Sequence, residues 1–188
     1  MAATGETRGR LNSDETNLLR AALVFTSSGL DACLHRLVND CAALVIYRDQ
    51  VASDCFLRFR KEQLAGPMEG KVKEAILSSD PTGELIAAYT HVKTRGSYQG
   101  SGDIADRVKA VLAIPNSAVS RKSISDLDPF FTARNAIVHD LDFTNPTGTG
   151  RARNPRLLDP TADECEKVFA VSTGLVLATI EKLRQPEI

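Results

Sequence analysis

Arg134 and His139 are the residues of this 188-residue chain whose types and spacing best suit chemistry. They frame the run Arg134-Asn135-Ala136-Ile137-Val138-His139-Asp140. A guanidinium keeps its charge and forks two donors onto a carboxylate or a phosphate. An imidazole exchanges a proton near neutral pH, where its unperturbed pKa lies. Together they supply an anion clamp and a general acid or base. Each has a plainer reading as well: Arg134 paired with a core acid, and His139 simply solvated. Arginine is almost never fully buried without a partner. Arg134 is therefore either neutralised by an acid or lines a site that takes anions.

The element that must position them reads as a late helix. Asp128 suits an N-cap and Pro129 the first helical position, where a missing N–H costs nothing. The helix is expected from about Pro129 to Leu141, before Asn145-Pro146 ends it. At about 100° per residue, Phe130, Ile137 and Leu141 share one side, with Ala133 and Phe131 at its edges. Arg134 falls inside that apolar arc, between Leu141 and Val138. His139 points roughly 140° away from it around the axis. Asn135 stands one turn before His139, placed to bond the imidazole and fix its tautomer. Arg134 and His139 thus need not converge within one helix. A second copy packed across a two-fold axis would bring two pairs into one cleft.

The rest of the chain reads as all-α, with no convincing strand. Residues 1–12 are polar and expected to be flexible, and 13–185 form a single domain. Ser13 is the expected cap of the first helix, with Asp14 and Glu15 suited to its dipole. Gly29 is expected to kink it or divide it from a second helix reaching about Tyr47. Further helices are expected at 50–65, 71–78, 83–92 and 103–113, the last broken at Ile114-Pro115. The final helix spans Ala162 to about Leu183. Two long loops interrupt the pattern. One is glycine-rich and flexible at 94–102, with the character of a mobile flap. The other, at 143–160, is rich in Gly, Pro and Arg. A helical bundle is the economical architecture.

Bulk properties narrow the function classes. The chain is 43% hydrophobic and 25% charged, as expected of one globular domain with a sizeable core. A net charge of −1 gives no global field for nucleic acid, so any such contact needs a local basic patch. Cys33, Cys41, Cys55 and Cys165 include no C-x-x-C pair and read as reduced core thiols rather than metal ligands. No apolar run approaches a membrane span and the first residues lack an apolar leader core. A cytoplasmic protein without membrane association is expected. No cofactor and no metal are implied.

Arginine, asparagine, three apolar residues and histidine on a late helix resemble the Arg-x4-6-His motif of the HEPN superfamily (higher eukaryotes and prokaryotes nucleotide-binding). The Leu30–Arg36 run, Leu-Asp-Ala-Cys-Leu-His-Arg, is similar to the subset related to ribonuclease toxins and phage-defence systems, the RiboL-PSP-HEPN group. The resemblance implies a HEPN-type helical bundle and a metal-independent endoribonuclease with a composite site at a homodimer interface. It also implies an end carrying a 2′,3′-cyclic phosphate or a 3′-phosphate. RNA carries its own nucleophile, the 2′-hydroxyl. A metal-free cut then needs a base beside that hydroxyl and positive charge beside the phosphate. His139 takes the first role, or protonates the leaving 5′-oxygen. Arg134 takes the second, and Asn135 orients His139 or touches the phosphate.

Around this set, Asp31 and His35 share a face at i and i+4 and are expected to reach Arg134 and balance its charge, or else to be a solvated pair. His91 reads as a surface residue. Arg151, Arg153 and Arg156 alternate along the loop after the helix, where they could track RNA phosphates. RNA, a second copy of the chain and an antitoxin or other regulatory protein are the expected partners. Two other readings stand beside this one. One is a HEPN-like module that binds RNA or nucleotides, or scaffolds a complex, without cutting. The other is a helical adaptor in which Arg134 is paired internally.

Overall fold

The computed structural model describes residues 11–67 and 70–186. The stretch expected to be a flexible N-terminus therefore lies outside the described residues, apart from Leu11 and Asn12. The described residues are mostly helical and form no strand, with one isolated antiparallel bridge between Phe143 and Arg153.

Helix α1, Ser13–Ile46, is 34 residues long and runs through the middle of the fold. Its cap is Asn12 rather than Ser13. The Asn12 side chain accepts the Glu15 N–H, and the Glu15 carboxylate accepts the Asn12 N–H in return. Gly29 neither ends nor divides the helix. It sits exposed where an added Cβ would meet nothing, so its cost is the modest one of a helical glycine. Leu23, Leu30, Leu34, Val38, Ala42 and Val45 recur at helical spacing and are all buried. Each fully buried leucine contributes about 2 kcal/mol.

Four helices pack on α1: α2 (Gln50–Ala65), α4 (Pro81–Thr94), α7 (Asp128–Asp140) and α8 (Leu158–Leu183). Helices α2 and α4 meet through Phe56 and Phe59, whose rings lie 5.7 and 5.1 Å from that of Tyr89. The short α3, Gly70–Ile76, rests on α4. Helices α1 and α8 run parallel, since Thr26 bonds Cys165 near one end and Lys182 pairs with Asp49 near the other. Gly174 allows a close approach on α8, where an added Cβ would lie 2.9 Å from Val119.

The expected helix at 103–113 is replaced by a turn of α5, Ser101–Asp103, and a π-helical segment, Ile104–Lys109. The buried Lys109 ammonium donates to the Ile114 carbonyl, closing the turn through Ala113 at φ 49°. After α6, Arg121–Ser125, the backbone stays helical through Asp126 and Leu127. Asp128 is therefore the first residue of α7 rather than its cap, and its charge still suits the helix dipole.

Helix α7 ends one residue before the expected Leu141. Leu141 and Asp142 adopt left-handed φ angles of 51° and 60°, and the Asp142 N–H reaches the Ala136 carbonyl at 2.8 Å. Such conformations cost about 1 to 3 kcal/mol each unless the surroundings impose them. Here they are imposed by the Asp142 carboxylate, which is fully buried. It accepts Arg20 Nε at 2.8 Å, Arg156 Nη2 at 2.6 Å and Nε at 3.0 Å, and Asn154 Nδ2 at 3.1 Å. Burial alone would raise its pKa, but the bonds from Arg156, Arg20 and Asn154 outweigh burial and hold it below the usual carboxylate range.

Asp142→Ala strips two guanidiniums of their shared counter-charge and is expected to cost about 3–5 kcal/mol in urea unfolding at neutral pH. A depressed native pKa stabilises fully above the unfolded value, near 3.8, and the contribution fades as pH falls through the lower native value. The gap between wild type and variant is therefore expected to hold at pH 5–7 and to narrow below pH 4.

Candidate functional site

Only the first half of α7 is sunk in the core. Phe130, Phe131 and Ala133 are buried, with the two phenylalanine rings 5.4 Å apart. Beyond Ala133 the helix runs out from the core. Ile137 packs against its edge, while Val138 and Leu141 are 43% and 60% exposed. The apolar arc read from the spacing is real, but its last two members face outwards. Arg134 lies at this transition, half-buried, at i, i+4 and i+7 with Val138 and Leu141.

Arg134 has one partner. Its Nη1 donates to Asn135 Oδ1 at 2.9 Å, and its Nε is buried with no acceptor. No carboxylate pairs with it among the described residues. A desolvated cation with open donors is costly, and a bound anion would relieve that cost. The internal pairing required by the adaptor reading is absent among the described residues.

His139 is exposed near the C-terminal end of α7, where a cation is favoured by the helix dipole. Asn135 was expected to orient it, but the Asn135 carbonyl oxygen is taken by Arg134. The imidazole has no recorded partner among the described residues. Arg134 and His139 are thus on one helix but do not meet, as their angular separation requires.

Asp31 and His35 are not brought to Arg134. Asp31 Oδ1 accepts the Tyr98 N–H at 2.6 Å and stands 3.7 Å from His35 Nε2. The His35 ring is tilted against the Tyr98 ring at 4.8 Å, and the Arg107 guanidinium lies 4.5 Å from the centre of the same ring. Arg107 also donates to the carbonyls of Lys93, Gly96 and Ser97. Tyr98 is consequently buried, and burial pushes its phenol up to about 12. The segment expected to be a loose flap at 94–102 is instead pinned through Tyr98, and α5 begins within it. His91 is exposed, as expected.

The three loop arginines divide. Arg156 is committed to Asp142. Arg153 lies 5.4 Å over the Phe143 ring, with a long 3.5 Å bond to Asn17. Arg151 is exposed with no recorded partner. The loop is shorter than expected, because α8 already begins at Leu158. Sequence reasoning missed Asp142, Arg20 and Asn154 as a cluster. A carboxylate two positions beyond a helix end looks like any loop acid, and only its burial shows its part.

The four cysteines are free and half-buried. Among the described residues no group of three or more His, Cys, Asp or Glu side chains is arranged to hold a metal ion, and no helix is long and apolar enough to cross a membrane. No protein family, characterised protein or solved structure matches this chain.

Asp31→Ala removes the acceptor for the Tyr98 N–H, a loss expected to cost about 1–3 kcal/mol. Amide exchange at 96–100 is expected to quicken in that variant. Unchanged protection there would show that the segment is held some other way.

Proposed function

We propose that this chain is a HEPN-type, metal-independent endoribonuclease that works as a homodimer. The observation that carries the reading is the half-buried Arg134 guanidinium with an orphaned Nε and no acid beside it. It is suited to a phosphate, whose oxygens take two forked donors at once. The charge that builds on the phosphate during attack would strengthen those bonds in the transition state. His139, exposed at the helix end, takes the proton from the 2′-hydroxyl or returns one to the 5′-oxygen. The bond formed joins O2′ to phosphorus, the bond broken joins phosphorus to O5′, and a 2′,3′-cyclic phosphate results.

The composite arrangement follows from the roughly 140° between the two side chains. One subunit's arginine and the other's histidine can share a phosphate where two copies of α7 face each other. Val138 and Leu141, exposed beside Arg134, supply apolar area for that contact. A toxin or defence effector, held silent by a regulatory protein, would suit such a nuclease.

A second reading is favoured by one contact. Because the Asn135 oxygen accepts from Arg134, no hydrogen bond among the described residues fixes the His139 tautomer. A module that binds RNA or nucleotides without cutting would need only the arginine.

The two readings separate on mixed RNA incubated with chelator. Cleavage by the wild type is expected, with cyclic or 3′-phosphate ends. His139→Ala is expected to lose about 10²–10⁴-fold in rate. Arg134→Ala is expected to fall at least as far, and a 2′-deoxy nucleotide at the cut position to block cleavage. Binding without any cut would establish the second reading. Cleavage that persists in His139→Ala would remove His139 from the chemistry.

A further inference from the structure

A second feature lies beyond the motif helix. It is an open groove of about 1070 Å³ between the first turns of the parallel helices α1 and α8. Arg20, Arg151, Arg153 and Arg156 line it, against the acids Glu15 and Asp159. Glu15 is turned back onto its own helix cap. Below the groove, Asp142 takes up Arg20 and Arg156 together, one carboxylate for two guanidiniums. Arg151 and Arg153 have no carboxylate partner among the described residues. The chain carries a net charge of −1, so this is a local basic surface rather than a reflection of the whole.

Two features make the surface more than a run of solvated arginines. Arg153 is laid along the Phe143 ring and bridged to Asn17, which also accepts from Arg20. Its guanidinium is therefore placed before any ligand arrives, and less ordering entropy is lost on binding. Helix α8 begins at the groove with no side-chain cap, and the Leu158 and Asp159 N–H groups open its first turn there, while Pro160 offers none and the Asp159 carboxylate offsets part of the dipole. The groove is also tied to the motif helix. Asn154 and Arg156 clasp Asp142, three residues after His139 and so at most about 11 Å of chain away.

We infer that this groove carries the sugar-phosphate backbone of the RNA on one side of the scissile bond, with Arg151 and Arg153 as its phosphate contacts. The inference rests on the ribonuclease reading and deepens it. Contacts of this kind position the strand without reading its bases. They lengthen the footprint of the enzyme beyond the nucleotides held by Arg134 and His139.

The test uses the intact protein and an uncleavable 2′-O-methyl RNA of twelve nucleotides, followed by fluorescence anisotropy at several salt concentrations. Arg151→Ala and Arg153→Ala are each expected to weaken binding about fivefold and to lower the slope of log K against log salt by about 0.7. Arg151 is exposed and makes no hydrogen bond or ion pair among the described residues, so its variant isolates the phosphate contact from folding. Arg121→Ala, which removes an exposed arginine outside the groove, is expected to leave affinity within about twofold. Equal binding by the three variants overturns the groove, and so does wild-type protein that does not bind. Cleavage of a dinucleotide in chelator reports on Arg134 and His139 alone. A dinucleotide cut beside equal binding by the variants defeats the groove but not the nuclease. Groove-dependent binding without dinucleotide cleavage defeats the nuclease but not the groove.

Discussion

A single buried carboxylate, Asp142, organises the end of the fold that follows α7. Asp142 has no solvent exposure and is shared by Arg20 of α1 and Arg156 of the loop before α8, with Asn154 beside them. The cluster joins α1 to the end of α7 and to the loop before α8. It holds two successive left-handed residues at the end of α7, which sets the helix terminus that carries His139. It also draws the 143–157 loop against α1, which opens the arginine groove. Removing the carboxylate would leave both guanidiniums without their counter-charge, so the cluster depends on Asp142 above all.

The contrast with Arg134 is informative. Both Arg20 and Arg156 are half-buried, and each has Asp142. Arg134 is also half-buried but has only a neutral amide. A fold able to neutralise two guanidiniums leaves a third open on the helix that carries the histidine. That economy makes sense where a ligand anion completes the set.

Periodicity carried much of the fold. The apolar spacing of α2 and α8 let their approximate extents be read directly, whereas α1 was expected to kink or divide at Gly29 and runs on unbroken. The boundaries were less legible, because caps depend on which polar side chain the backbone reaches. Asn12 displaced Ser13 at α1, and the backbone running on from α6 displaced Asp128 as the cap of α7. Tyr98 is the plainest case of tertiary override. Glycines around it suggest looseness, yet one aromatic ring held between Arg107 and His35 fastens the segment. At the site, the angular split of Arg134 and His139 followed from helix geometry. The partners of Asp31 and Arg156 did not, because hydrogen bonds across 67 or 14 residues leave no periodic signal, and Asn135 bonds its neighbour Arg134 rather than His139 one turn on.

The central claim is that one subunit's guanidinium acts with the other's imidazole. It is tested most directly by mixing two inactive proteins. Arg134→Ala and His139→Ala subunits, exchanged into heterodimers, should recover RNA cleavage in chelator that neither variant shows alone. A mixture that demonstrably forms heterodimers yet stays as inactive as its parents would contradict the account.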